Sequence, residues 1–264
     1  MKFILITKKQ LGLIFCSAVA IIAAVAVSVS ALTAADRKLP IYGVKTDKKQ
    51  IAISFDAAWG ADDTDTLIEI LKKYNVKATF FVVGDWVDKY PEEVKKLSDN
   101  GHSIQNHSNT HPYMTKLSTE EMVAQLKNCN EKIAKLTGET PTLFRCPYGD
   151  YNNAVLNATE SIDMKAIQWS VDSLDWKDTA TADSIAKRVI EKTTNGSIIL
   201  CHNDADHTPE ALPTILETLQ KNGYEFVLIK DLIYKDNYTI EHDGTQVKNG
   251  SQTADNNSSA EKNS

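Results

Sequence analysis

Two histidines four residues apart, His107 and His111, are the first candidates for chemistry in this 264-residue sequence. If the segment between them turned as a helix, both imidazoles would reach one ion, and neutral nitrogen ligands suit Zn, Co or Ni. The same spacing is common in proteins that bind no metal. The pair therefore indicates a metal site only if other reactive groups lie beside it.

Polar side chains also follow other short apolar runs. In chain order these runs are followed by Asp56, then His107 and His111, then Arg145 and Tyr148, then Asp172, Asp175 and Trp176, and finally His202. Taken singly, Asp56 is better explained as a helix cap or a turn residue, and His202 as a buried core histidine. If the runs are parallel strands, their carboxyl ends meet at one edge. Carboxylates and imidazoles gathered there are the groups that general acid and base catalysis needs.

The elements that would position these residues alternate between apolar runs and amphipathic stretches, which is typical of an α/β fold. Seven strands are predicted, at residues 51–55, 78–83, 103–106, 142–145, 166–169, 197–201 and 226–229. Apolar residues at helical spacing predict helices around residues 67–74 and 212–219, and Ser118 with Glu121 predicts a capping box for another. Periodicity alone leaves a barrel and a doubly wound sheet both open.

The two ends of the chain differ from its middle. Three lysines precede an uncharged run at residues 11–32, so residues 1–35 are predicted to be a signal or membrane anchor and the protein extracytoplasmic. Both an uncleaved anchor and secretion after cleavage stay open. Residues 36–48 are predicted to be a linker, residues 49–232 the catalytic domain, and residues 235–264 a disordered polar tail.

Charge and cysteine content exclude two classes of function. The formal net charge is −6 and no dense basic run lies outside the N-terminus, so nucleic acid is not an expected partner. No C-x-x-C spacing occurs among the four cysteines, which argues against a thiolate zinc site; they are Cys16, Cys129, Cys146 and Cys201. They are predicted to be buried thiols without a catalytic role.

Five short segments taken together resemble the ordered motifs of the polysaccharide deacetylases, carbohydrate esterase family 4, also called the NodB homology domain. They are S-F-D-A at 54–57, H-S-N-T-H at 107–111, R-C-P-Y at 145–148, D-S-L-D-W at 172–176 and L-C-H at 200–202. The sequence I-S-F-D-A-A-W-G further resembles a sporulation-associated branch. The resemblance implies a distorted (β/α)7–8 barrel. It also implies a hydrolase that removes N-acetyl or O-acetyl groups from a cell-wall or chitin-like polysaccharide.

The resemblance also implies a role for each site residue. His107 and His111 would hold the divalent metal, Asp56 would be the general base and His202 the general acid. Arg145 would orient Asp56, and Asp175 would tune His202. Pro147, Tyr148 and Trp176 would contact the substrate, with the Tyr148 backbone N–H at the oxyanion and Trp176 along the acetyl pocket. Phe55 and Trp59 are expected to be structural.

Two positions depart from the family pattern. Ala57 stands where the family has a metal-binding Asp, and Asp62 or Asp63 is a candidate replacement, although both also fit as acids at a helix start. Gln105 stands where relatives carry Gly and is expected to narrow the cleft. The alternative functions are a non-catalytic glycan-binding module that has lost full metal ligation and an amidohydrolase acting on small amides. The sequence leaves the exact substrate, the metal and the oligomeric state open.

Overall fold

The computed structural model describes residues 37–250. The predicted anchor at residues 1–35 and the last part of the predicted tail, residues 251–264, lie outside the described residues. Within residues 37–250, every helix is too short or too polar to cross a membrane.

The described residues form strands and helices that alternate along the chain. The strands are β1 (Gly43–Val44), β2 (Gln50–Ala57), β3 (Thr79–Val82), β4 (Ser103–Asn106), β5 (Leu143–Phe144), β6 (Lys165–Ala166), β7 (Val171–Asp172), β8 (Ile198–His202), β9 (Glu225–Phe226), β10 (Tyr238–Ile240) and β11 (Thr245–Lys248). The helices are α1 (Thr64–Lys73), α2 (Gly84–Lys89), α3 (Pro91–Asp99), α4 (Thr119–Thr137), α5 (Asn153–Glu160), α6 (Ala182–Lys192), α7 (Thr208–Lys221) and α8 (Ile229–Leu232). All seven predicted strands overlap an observed one.

The main sheet is parallel and has the strand order β6-β5-β4-β3-β2-β8-β7, with β9 pairing the start of β2. In the part of the chain that the structure describes, β6 and β7 are its two edges, and no ladder joins them. The sheet is therefore a curled half-barrel, in agreement with the distorted barrel that the family resemblance implied.

Alternation along β2 explains how the sheet serves both the core and a polar site. Ile51, Ile53 and Phe55 belong to the largest apolar cluster, which packs the sheet against helices such as α1 and α7. Ser54 and Asp56 alternate with them and point to the opposite face, because successive side chains of a strand alternate. The carboxyl end of β2 thus carries a carboxylate into the inside of the curl.

The predicted helix signals are observed in detail. Ser118 and Glu121 form the predicted capping box at the start of α4, and Gly138 ends that helix with φ of 76°. Helix α7 buries the predicted stripe of Leu212, Ile215, Leu216 and Leu219.

The predicted linker and the predicted disordered tail are both wrong in part, because they pair with each other. Strand β1 pairs in parallel with β11, which forms a hairpin with β10, so residues 238–248 are ordered. Ile41 and Val44 are buried in the same region. The tail segment has few apolar residues, but backbone pairing and the fully buried Gln246 hold it in place: the Gln246 amide bonds to both backbone groups of Tyr234.

Candidate active site

Asp56 and Arg145 form a buried ion pair at the carboxyl ends of β2 and β5. Nη1 of Arg145 lies 2.7 Å from Oδ1 of Asp56. Burial acts to raise the pKa of Asp56, but the positive charge of Arg145, helped by His107 and His202, outweighs it and lowers the pKa. Asp56 is therefore ionised at neutral pH and can accept a proton.

The guanidinium of Arg145 is fixed by further contacts. Nη2 donates to the Ser54 hydroxyl at 3.0 Å and to the Gln168 carbonyl at 3.2 Å. Its central carbon lies 4.1 Å from the centroid of the Phe81 ring. Because a planar guanidinium held at its edge and on its face cannot swing, its charge stays beside Asp56.

The two predicted metal-binding histidines meet, but not through the helical turn that their spacing suggested. Ser108 and His111 have positive φ, 69° and 58°, so the segment after β4 is a tight turn. It is held by the bond from Ser108 N–H to Asn106 Oδ1 at 2.7 Å and by the bond from His111 N–H to Ser108 Oγ at 3.0 Å. The turn brings the Nε2 atoms of His107 and His111 to 3.2 Å.

These two imidazoles fit a divalent cation. Nδ1 of His107 lies 2.8 Å from the Arg145 carbonyl, which only accepts, so Nδ1 carries the proton and the Nε2 lone pair is free. Burial lowers the pKa of both rings, that of His111 to about 4, so both are neutral at pH 7. Nitrogen ligands of one tetrahedral zinc ion lie about 3.3 Å apart, close to the observed separation.

A third protein ligand is missing from this pair. Among residues 37–250 no cluster of three or more His, Cys, Asp or Glu side chains is arranged to hold a metal. Ala57 is fully buried in the apolar cluster, Asp62 is exposed, and Asp63 accepts a bond from the Asp204 N–H at 2.9 Å. Neither aspartate lines the cleft beside the histidines, so neither candidate takes the place of the missing carboxylate. The donor set is one short of the three that catalytic zinc sites use.

The second ion pair joins His202, at the end of β8, to Asp175, which follows β7. Nδ1 of His202 lies 2.7 Å from Oδ1 of Asp175, and Oδ2 accepts the His202 backbone N–H at 2.8 Å and the Thr208 hydroxyl at 2.7 Å. Burial acts to lower the pKa of His202, but its bond to Asp175 and the charge of Asp175 raise it. His202 therefore holds its proton more tightly than a free imidazole does, and in the protonated form it can donate that proton.

One member of each ion pair, Asp56 in the first and His202 in the second, lines a single cleft of about 460 Å³. Its lining includes seven of the polar and aromatic residues that the sequence placed at strand ends, namely Asp56, His107, His111, Tyr148, Asp172, Trp176 and His202, and also Trp59, Cys146 and Trp169. Tyr148 and Trp176 are 60% and 54% exposed, so their rings are available to a ligand.

Three expectations about neighbouring residues are wrong. Pro147 is buried at the start of a 3₁₀ turn and does not line the cleft, so the structure assigns it no substrate contact. Trp59 is 54% exposed and lines the cleft, whereas Phe55 is buried as predicted. Gln105 does not narrow the cleft, because its Oε1 accepts the backbone N–H groups of Thr142 and Leu143.

Sequence reasoning missed Ser54, Thr208 and Trp59 as parts of the site. Ser54 had a readable signal, since it alternates with Phe55 and shares the face of Asp56. Thr208 had none, because its contact with Asp175 crosses 33 residues. Cys129, Cys146 and Cys201 are buried free thiols, as predicted, and burial raises the pKa of Cys129 to about 12.

Comparison with known proteins gives consistent relatives. The family model described as polysaccharide deacetylase matches residues 43–167. The chain is 36% identical to the uncharacterized protein YlxY of Bacillus subtilis over 74% of its length, and 39% identical to the peptidoglycan-N-acetylglucosamine deacetylase PgdA of Listeria monocytogenes, also over 74%. These matches span only 60% and 41% of the two relatives. The peptidoglycan-N-acetylmuramic acid deacetylase PdaA of Bacillus subtilis is 34% identical, and the match covers 72% of this chain and 73% of PdaA.

Solved structures include both inactive and active neighbours. A CE4 family pseudoenzyme from Bacillus anthracis is 35% identical with a TM-score of 0.71, and the match covers 74% of this chain and 68% of that one. A mutant of that pseudoenzyme, described as having restored enzymatic activity, is 36% identical with the same TM-score, and the match covers 74% of this chain and 71% of that one.

Proposed function

Because the chain belongs to the polysaccharide deacetylase family, we propose that it is a hydrolase that removes N-acetyl groups from a cell-wall polysaccharide. O-acetyl groups and a chitin-like polymer are the neighbouring possibilities. Peptidoglycan is the favoured substrate because the characterised relatives PgdA and PdaA are named for it.

One observation carries this proposal: two ion pairs meet at the same cleft, and they shift the pKa values of the groups that line it in opposite directions. Arg145 lowers the pKa of Asp56, and Asp175 raises the pKa of His202. Pairs of titratable groups whose environments push their pKa values apart mark a base and an acid. A module that only binds glycans has no evident use for this arrangement.

The residues would divide the reaction between them. Water attacks the acetyl carbonyl carbon while Asp56 takes its proton, and the C–N bond then breaks as His202 donates a proton to the leaving amine. Acetate and a free amino sugar are the products. Arg145 holds Asp56 ionised and in place, and Asp175 does the same for protonated His202. Tyr148 and Trp176 would line the substrate side of the cleft, with the Tyr148 N–H near the oxyanion.

His107 and His111 are the residues that would hold a divalent metal, with Zn, Co or Ni as the candidates. When bound, such an ion lowers the pKa of water towards about 7 and polarises a carbonyl. Its affinity is expected to be weak, because only two imidazoles are supplied.

The cellular setting is also part of the proposal. A lysine-flanked apolar run at residues 11–32 supports an extracytoplasmic protein that is membrane-anchored or secreted. An acetylated glycan of the cell wall is then the expected partner, and a role in sporulation is consistent with the I-S-F-D-A-A-W-G resemblance.

The test is acetate release by the full-length chain from acetylated peptidoglycan and chitin oligomers, with metals added back after chelation. Asp56→Asn should lower kcat by ~10²–10⁴, the usual worth of a positioned acid or base. Asp183→Asn, an exposed residue of α6, is the matched control and should not change it. Equal activity in Asp56→Asn and wild type would remove Asp56 as the base.

The metal-binding role has its own test. His107→Ala and His111→Ala should each abolish bound metal, because a single imidazole is a poor cation site. Elemental analysis after equilibration with Zn²⁺ measures this directly. Metal content equal to that of wild type would refute the assignment.

The alternative is a non-catalytic glycan-binding module. Ala57 at the position of the metal-binding Asp favours it, as does the similarity to a named pseudoenzyme. Saturable binding of acetylated glycans without acetate release under any metal condition would establish this alternative instead.

A further inference from the structure

Trp59 is an exposed tryptophan whose position is not explained by packing. Among the described residues the exposed large apolar side chains are Trp59, Tyr113, Tyr148 and Trp176. By contrast, Trp86 is 3% exposed. A half-exposed indole contributes much less hydrophobic free energy to folding than a buried one does. An exposed indole beside a cleft therefore indicates contact with a ligand.

The loop that carries Trp59 is rigidly held. The carbonyl of Gly60 accepts bonds from Trp86 Nε1 at 2.8 Å and from Asn203 Nδ2 at 2.5 Å, and the Gly60 N–H donates to Asp204 Oδ2 at 3.1 Å. A Cβ at position 60 would lie 2.3 Å from the same Asp204 oxygen, so a larger residue there would displace the carboxylate that accepts from the loop. The backbone beside Trp59 is thus fixed by hydrogen bonds, so the position of the loop does not depend on burying the Trp59 ring, which stays exposed to solvent.

The ring stands beside the proposed acid. The centroids of Trp59 and His202 are 5.8 Å apart, with 39° between the rings. Trp59 and Trp176 line both the main cleft and an adjoining depression of about 290 Å³, which also includes Lys177, Asp178 and His207. The two indoles therefore border the passage between the two hollows, on the side where a leaving amine would meet His202.

We propose that Trp59 is a sugar-stacking platform that binds the pyranose chain on the leaving-amine side of the cleft, with the next sugar in the adjoining depression. This inference rests on the proposed function, since it places the sugar by the role of His202. A pyranose ring presents an apolar face of C–H bonds, and stacking that face on an indole removes both surfaces from water. The platform recognises a run of acetylated hexosamines, so it specifies an oligomer over a single sugar.

The experiment compares tetra-N-acetylchitotetraose with the monomer N-acetylglucosamine on the full-length chain. Trp59→Ala should weaken tetramer binding, measured by calorimetry, about ten- to thirtyfold, which corresponds to ~1.4–2 kcal/mol. Trp59→Phe should recover part of the loss, because it keeps an aromatic face. The kcat/KM for acetate release should fall more for the tetramer than for the monomer in Trp59→Ala, because only the tetramer reaches the adjoining depression.

Tyr238→Ala is the matched control, because it removes a half-buried aromatic ring on β10 that does not line the cleft. Unchanged tetramer affinity in Trp59→Ala would overturn the proposal. So would a wild type that binds no tetramer at millimolar concentration, or an equal loss with tetramer and monomer, which would mean that Trp59 acts on His202 or the fold.

The two proposals fail in different ways. Tetramer binding that depends on Trp59 without acetate release under any metal condition would sink the deacetylase proposal and keep the platform. Acetate release that is indifferent to Trp59 would do the reverse.

Discussion

At the scale of single residues, the site is defined by two carboxylates with different duties. Asp56 is kept charged by Arg145 and lines the cleft. Asp175 has no exposed side-chain surface, and its two oxygens accept hydrogen bonds from His202 and Thr208. The same side-chain type thus serves as a reactive group in one place and as a support in the other.

The pairing of Asp175 with His202 predicts the alkaline limb of the rate profile. His202 must be protonated to act as an acid, so kcat should fall as pH rises through its raised pKa. Asp175→Asn removes the negative charge while burial continues to lower the pKa of His202, so this limb should move to lower pH. Thr208→Val, which removes one bond to Asp175, should move it in the opposite direction or very little. The measurement is kcat against pH; a limb that stays in place in Asp175→Asn would contradict the assignment.

Ala57 predicts a link between metal and stability. Because position 57 is fully buried, Ala57→Asp places a carboxylate in apolar surroundings and should destabilise the metal-free protein by several kcal/mol. If its carboxylate joins His107 and His111, Zn²⁺ should recover the loss and bind more tightly than in wild type. Thermal melting with Zn²⁺ and with chelator separates these states. Ala57→Asn is the control. If Zn²⁺ leaves the melting temperature of Ala57→Asp unchanged, the side chain at position 57 does not reach the metal.

At the scale of elements, a buried histidine ties the start of β4 to β3. Nδ1 of His102 accepts the N–H of Ala78 at 3.1 Å, and burial lowers its pKa to about 4 from the ordinary 6.5. As pH falls below 6.5 the unfolded chain takes up this proton before the folded protein does. Stability should therefore fall between about pH 6.5 and 4, by about 3 kcal/mol from this residue.

His102→Asn keeps an acceptor near the position of Nδ1 but does not titrate. Urea unfolding of wild type and variant from pH 7 to pH 4 should show a smaller loss of stability in the variant. Parallel curves for the two proteins would exclude His102 as a source of the acid sensitivity.

Elements with local signals were predicted well from the sequence, and those that depend on distant partners were not. The apolar stripe of α7 and the capping box of α4 depend only on residues close together in the sequence, and both are observed. Strand β7 has two residues and no periodicity to read, and β11 is polar, so both were missed. In the site, residue types at the strand ends predicted which side chains would meet. The left-handed turn at Ser108 and His111 was not predicted, because it depends on hydrogen bonds that the spacing of the two histidines does not reveal.

At the scale of the whole molecule, the small sheet of β1, β11 and β10 predicts where the chain can be shortened. Removing residues 236–264 deletes β10 and β11 and leaves Ile41, Val44 and Ile233 less covered. The melting temperature should drop by about 5–10 °C, since 1 kcal/mol corresponds to roughly 2–4 °C for a domain of this size. A chain ending at Gly250 keeps the sheet and is the control. Equal melting temperatures would show that the hairpin adds nothing to stability.

The pairing of β1 with β11 also sets an order of events during synthesis. The two strands are separated by about two hundred residues, so at 5–20 residues per second β1 waits roughly 10–40 s for its partner to be made. Strand β2 likewise waits for β8 before its second edge is covered. The nascent chain therefore carries uncovered apolar strands until their partners have been made, and the small sheet can close only after residue 248 has been added.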